Sequence, residues 1–94
     1  MISPDTKYVP HPDVVHTALE NGEAVLLHLG TNQYFSLNDT GARIWELIDK
    51  GLTLEEIGQE IEAMYDLTLD WAQQYVSNLA DELISEKLLQ LSDN

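Results

Sequence analysis

The period of apolar and polar positions changes along the chain, and the changes mark its elements. From about Asp13 to Glu20 and from about Glu23 to Leu29, branched and apolar residues recur at the short spacing of strands. Asn21-Gly22 between them is a strong two-residue hairpin signal, because both residues tolerate the positive φ of a type I′ turn. That turn predicts Ala18 opposite Val25, His16 opposite Leu27 and Val14 opposite Leu29. Gly30-Thr31-Asn32 makes the next turn. Pairing Leu29 with Gln33 then sets Leu27 against Phe35 and Val25 against Leu37. Val25, Leu27, Leu29, Phe35 and Leu37 become the expected core face of the sheet. The third strand, Tyr34 to Leu37, has no later strand to cover its outer side and is expected at an edge.

Beyond Leu37 the period lengthens to that of a helix. Asn38 or Asp39 can cap it, and Ala42, Ile44, Trp45, Leu47 and Ile48 lay an apolar stripe from about Asp39 to Lys50. Gly51 suits the left-handed closing position. Gly41, inside the helix, costs about 1 kcal/mol relative to Ala; it either admits a neighbouring backbone or has no role. Thr53 and Glu56 have the spacing of a capping box for a second helix, running to about Tyr65 with Leu54, Ile57, Ile61 and Met64 buried. Thr68 or Asp70 opens a third, to about Glu86, with Ala72, Val76, Leu79, Ala80, Leu83 and Ile84 at spacings of three and four. Trp71 and Tyr75 pair on its flank, a spacing that favours the core. Leu88, Leu89 and Leu91 are expected to close the core as a short extended tail. The order predicts an α+β, winged-helix-like fold: a three-stranded antiparallel sheet followed by three helices. Residues 1–12 hold all three prolines, Pro4, Pro10 and Pro12, and read as an extended tail lying against the domain near Tyr8 and Val9. Residues 13–94 then form a single domain.

Charge and composition narrow the function. Seventeen acidic residues stand against four basic ones, a formal charge of −13. Lys7, Arg43, Lys50 and Lys87 are scattered, so a nucleic-acid backbone would be repelled. The absence of cysteine excludes disulfides, thiolate catalysis and zinc–cysteine sites. MISPDTKYVPHP lacks the basic start and apolar run of a signal peptide, and no stretch approaches the roughly 18 apolar residues of a membrane span. The cytoplasm is therefore the expected location. The expected register turns His16 and His28 to opposite faces and leaves His11 in the tail, so no metal centre is expected. Glu55, Glu56, Glu60 and Glu62 suit a solvated helix face. No serine lies in a G-x-S-x-G context, and there is no glycine-rich phosphate loop. Neither catalysis nor a cofactor is expected.

Residues 25–51, VLLHLGTNQYFSLNDTGARIWELIDKG, resemble the PqqD-like family, also called RiPP recognition elements. The resemblance rests on Tyr34, Phe35, Leu37, Asn38, Gly41, Ala42, Ile44 and Trp45. Leu52-Thr53-x-Glu55-Glu56-Ile57 and Leu79…Leu83…Lys87-Leu88-Leu89 also fit, so that it spans about residues 13–91. The Leu-Asn-x-Thr-Gly-Ala-x-Ile-Trp run is most similar to the stand-alone members that serve lasso-peptide pathways. Such proteins are not enzymes. They bind the leader segment of a ribosomally made precursor and present it to a leader peptidase and then a cyclase. The resemblance implies that a leader adds as a strand beside the third strand, in a groove walled by the third helix. The expected peptide-binding residues are Gln33, Tyr34, Phe35, Ser36 and Leu37 on the strand, with Tyr34, Phe35 and Leu37 facing the groove. Tyr75, Leu79 and Leu83 are the expected apolar helix wall, with Asn78 and Glu82 as its polar rim. A metal-free monomer is expected. Rival readings are a peptide chaperone for another modified-peptide pathway and a winged-helix nucleic-acid binder, which the charge opposes. An acidic carrier protein is a third, but its Asp-Ser-Leu attachment context is missing.

Overall fold

Two hairpins set the register of the sheet, and neither turns on two residues. The computed structural model describes residues 7–66 and 68–91. In chain order these form β1 (Tyr8–Pro10), β2 (Val14–Ala18), β3 (Ala24–His28), β4 (Gln33–Leu37), α1 (Asp39–Asp49), α2 (Leu54–Tyr65), α3 (Leu69–Ser85) and β5 (Leu89–Leu91). At the β2–β3 tip Leu19 N–H donates to Glu23 O (2.8 Å) and Gly22 N–H to Leu19 O (3.2 Å). The loop is therefore Glu20-Asn21-Gly22, closed by Gly22 at φ +88°, a three-residue hairpin in which glycine takes the left-handed position.

The extra loop residue shifts the register by one. Ala18 faces Ala24, His16 faces Leu26 and Val14 faces His28. Across the next hairpin, Ala24 faces Leu37, Leu26 faces Phe35 and His28 faces Gln33. The expected pairings of both hairpins are thus corrected by one residue, and only β3 is turned over. Ala24, Leu26 and His28 are buried, whereas Leu29 is 59% exposed. Phe35 and Leu37 keep their place on the core face.

His28 earns its buried position by its hydrogen bonds. Its Nδ1 accepts from Gly30 N–H (3.0 Å) and Thr31 N–H (3.2 Å), stapling the turn into β4. His11 packs its ring against it, centroids 4.7 Å apart. His16 lies on the same sheet face as His28 and stacks on Trp45 at 6.4 Å. The expectation that these two histidines face apart is corrected with the register. Among the described residues no group of three or more His, Asp or Glu is placed to hold a metal ion.

The three-stranded antiparallel sheet β2-β3-β4 is followed by three helices, as the α+β reading requires. α1 buries Ala42, Ile44, Trp45, Leu47 and Ile48. Asn38 caps it, its Oδ1 accepting from Gly41 N–H at 2.7 Å. A Cβ on Gly41 would meet Leu37 and Asn38 side chains rather than another backbone. The glycine at a backbone approach is Gly58 on α2, where a Cβ would lie 2.6 Å from Gln73 Cγ and 3.4 Å from Gln73 Cα. The Thr53/Glu56 capping box is formed. Leu54, Ile57 and Ile61 are buried against α3, but Met64 is 44% exposed. It sits in the last turn of α2, beside the connection to α3, which corrects its place in the stripe. Ala72, Val76, Ala80 and Leu83 form the buried stripe of α3, with Leu79 and Ile84 half-buried against it.

From Tyr8 to Pro10 the amino-terminal segment is a strand paired antiparallel with β5. Residues 1–6 of the expected tail lie outside the described residues. Leu88 and Leu89 enter the core, while Leu91 is 63% exposed and does not. Among the described residues no helix is long and apolar enough to cross a membrane.

Burial pushes the pKa of the Tyr8 hydroxyl above its ordinary value of 10.0, and the nearby Asp81 carboxylate adds to the effect. The folded state then holds this proton more tightly than the unfolded chain. Stability from Tyr8 should be complete below the ordinary tyrosine value and be lost as pH rises through the raised one. Urea melts across that range should show an alkaline decline that Tyr8→Phe reduces. His28→Leu should cost about 1–3 kcal/mol, since two N–H groups lose their acceptor. His28→Asn, whose Oδ1 can stand in for Nδ1, should restore most of it in the same melts.

Candidate open strand edge and groove

The hydrogen bonds of β3 decide which groups of β4 are free. Leu29 N–H donates to Asp13 O (2.9 Å), and Leu19 N–H donates to Glu23 O. Main-chain groups of odd-numbered β3 residues therefore point to β2. His28 O accepts from Asn32 N–H on the other side (2.7 Å), so even-numbered ones point to β4. Hydrogen-bonded and non-hydrogen-bonded pairs alternate in an antiparallel ladder. Gln33, Phe35 and Leu37, opposite His28, Leu26 and Ala24, thus bond to β3. The N–H and C=O groups of Tyr34 and Ser36 face away, along an edge with no further strand among the described residues. The β2 edge is less free, because Val14 N–H donates to His11 O (3.0 Å).

α3 lines this edge in the opposite direction. Near its start, Tyr75 OH accepts from Asn38 Nδ2 at 3.5 Å, where β4 ends. Beyond its end, Glu86 and Leu88 border a small depression with His28, Gln33, Tyr34 and Phe35, where β4 begins. The gap between β4 and α3, bounded at its two ends by these residues, is called the channel below.

The strand side chains divide between two faces. Phe35 is half-buried and Leu37 is 3% exposed, both on the face toward the helices. Tyr34, 73% exposed, projects from the opposite face with Ser36, so its ring stands outside the channel and only its main chain lines the edge. On α3, Tyr75 and Leu79 are half-buried against the core, and Asn78 and Glu82 are exposed. Leu83 is 0% exposed and lies behind this wall. Sequence reasoning missed Asn38 and Glu86, which mark the two ends of the channel. The capping signal at Asn38 was legible, but not its reach to Tyr75.

Glu82 and Glu86, one helical turn apart and both exposed, give the channel an acidic side. Among the described residues the ion pair is Arg43 with Glu46, 3.0 Å apart on the surface of α1. Such a pair contributes little stability and leaves most of the negative charge unneutralised. A partner strand bearing positive charge would meet a favourable field here.

Amide exchange should read the edge directly. Tyr34 and Ser36 should exchange quickly in the free protein, and Phe35 and Leu37 slowly. Equal protection of all four would contradict the ladder assignment.

Known proteins share this fold. The model of the family described as coenzyme PQQ synthesis protein D (PqqD) matches residues 23–89. The chain is similar in structure to TbiB1 in complex with the TbiA(beta) leader peptide, with 31% sequence identity and a TM-score of 0.83. That match covers 92% of this chain and 99% of the other. It is also similar to lasso peptide synthetase B1 complexed with the leader peptide, at 21% identity and a TM-score of 0.82. There the coverage is 89% and 98%, and the likeness is one of fold. No curated protein matches the chain significantly.

Proposed function

Because the chain belongs to the PqqD family, we propose that it binds the leader segment of a ribosomally synthesised precursor peptide, in lasso-peptide biosynthesis. The observation that carries this reading is the open edge of β4 beside α3, in a chain 31% identical to a protein complexed with a leader peptide. The leader adds antiparallel to β4, and its main chain bonds to the N–H and C=O groups of Tyr34 and Ser36. These bonds set register without reading sequence. Leader residues opposite Gln33, Phe35 and Leu37 turn toward the channel, where Phe35 and the α3 side chains Tyr75 and Leu79 receive them. Leu37 and Leu83 support the floor from within the core. Asn78 and Glu82 form the polar rim, with Glu82 placed to meet a leader lysine.

The role is recognition rather than chemistry. No nucleophile, cofactor or metal is invoked, and the protein delivers the bound precursor to a leader peptidase and then a cyclase. It acts as a monomer in the cytoplasm. The charge of −13 speeds encounter with a basic leader, while the apolar wall holds it. Exposed charges are screened beyond roughly 8–10 Å at physiological salt, so association should slow as salt rises while dissociation changes less.

The test uses peptides selected on the immobilised protein from a randomised display library. Their addition should shift amides of residues 33–37 and of α3, and protect Tyr34 and Ser36 from exchange. Tyr75→Ala should weaken binding by about 1–2 kcal/mol, as loss of an aromatic anchor does. Glu82→Lys should reverse any preference for lysine in the selected peptides. Shifts confined to α2, or full affinity in both variants, would overturn the groove.

A further inference from the structure

Asn21-Gly22 carries a second chemistry besides that of a turn. Of the five asparagines in the chain, Asn21 alone is followed by glycine. Gly22 has no Cβ to screen its nitrogen, and the residues of the tip from Glu20 to Glu23 are all exposed. The Asn21 carboxamide is also held in one orientation. Its Oδ1 accepts from Glu23 N–H at 3.1 Å, the turn that asparagine forms with its own backbone two residues on. Its Nδ2 donates to Glu23 Oε1 at 2.9 Å. The bond from Gly22 N–H to Leu19 O is long at 3.2 Å and holds that nitrogen weakly.

This arrangement suits attack of the Gly22 nitrogen on Asn21 Cγ. Hydroxide first takes the proton of Gly22 N–H. The nitrogen then bonds to Cγ and closes a succinimide ring. Negative charge gathers meanwhile on Oδ1, where Glu23 N–H already donates. The Cγ–Nδ2 bond breaks, and Nδ2 leaves as ammonia with a proton from water, which returns the hydroxide. Water next opens the ring at one of its two carbonyls. Opening at Cγ gives aspartate. Opening at the main-chain carbonyl sends the backbone through Cβ and Cγ, which is isoaspartate. No oxidation state changes, and water is the one reactant consumed.

The asparagines elsewhere in the described residues are placed differently. Asn32 precedes Gln33, which bonds to β3. Asn38 commits its Oδ1 to Gly41 and its Nδ2 to Tyr75. Asn78 lies within α3, where helical hydrogen bonding engages the next nitrogen.

We propose that Asn21 is a modification site, converted without an enzyme to isoaspartate or aspartate, and that the change loosens the hairpin whose turn sets the sheet register. Either product puts a carboxylate where Nδ2 donated to Glu23. Glu20 adjoins it in sequence, and Asp39 lies across a short gap, its Cβ 3.7 Å from where a Cβ on Gly22 would stand. Like charges gathered this closely repel. Isoaspartate goes further, because it adds an atom to the main chain inside the loop that Leu19 and Glu23 close.

The test is to warm the full-length protein at mildly alkaline pH for several days. Peptide mass spectrometry should find the mass gain of NH2 replaced by OH at residue 21, faster as pH rises. A methyltransferase specific for isoaspartate should label the aged protein but not aged Asn21→Gln, whose longer side chain closes the ring far less readily. A thermal melt will show that this exposed variant folds. Separated by anion exchange, the isoaspartate form should melt about 4–8 °C below the fresh protein. Asn21→Asp, which has the charge without the added main-chain atom, should melt between the two. Residue 21 unchanged after ageing, modification chiefly at another asparagine, or equal labelling of the native protein and Asn21→Gln would overturn the site. An isoaspartate form that melts with the fresh protein would overturn its coupling to the sheet.

Discussion

β3 is the one strand of the three-stranded sheet with a partner on each side, and the alternation along it governs the molecule. Its side chains send Ala24, Leu26 and His28 inward to the helices. Its main chain sends odd-numbered groups to β2 and even-numbered groups to β4. The second alternation leaves Tyr34 and Ser36 unpaired at the far edge. A register moved by one residue would expose a different pair and reverse which side chains stand over the channel. The core and the edge are therefore set by the same few hydrogen bonds, including the two that His28 accepts at the turn.

Much of this was legible in the sequence, and the part that was not has a local cause. The helices declared themselves through caps and stripes: Asn38, the Thr53/Glu56 box and Thr68 all cap as their residue types suggest. The sheet departs from its sequence pattern at Asn21-Gly22, where a dipeptide suited to a two-residue turn sits in a three-residue one. Apolar content does not mark the buried face of β3 either, because Val25, Leu27 and Leu29 are more apolar than the buried Ala24, Leu26 and His28. Histidine enters the core only because turn N–H groups point at its ring, and nothing in the sequence announces that. Of the candidate site, the edge position of β4 follows from element order, whereas the groove came from family resemblance. The side on which Tyr34 stands and the exposure of Trp71 depend on a register and a helix packing that periodicity does not resolve.

Asn38 joins three elements with one side chain. Its Oδ1 accepts the first free N–H of α1 that it can reach, Gly41, and its Nδ2 meets the Tyr75 hydroxyl. The end of β4, the start of α1 and the flank of α3 are thus held at one point. Cohesion elsewhere comes from apolar packing, since the acidic surface is largely unpaired and repels itself. The fold tolerates that repulsion because the charges face water, and the same field is available to attract a basic partner.

The pairing of β1 with β5 has a topological consequence. Tyr8 lies opposite Leu91 and Pro10 opposite Leu89, so the first and last strands of the described residues run side by side. A short bridge from residue 91 to residue 8 would close the backbone into a ring, and new ends could then be opened at the exposed loop of Glu20, Asn21 and Gly22. Residues 8–91 are laid out as a circle that stands open between β5 and β1.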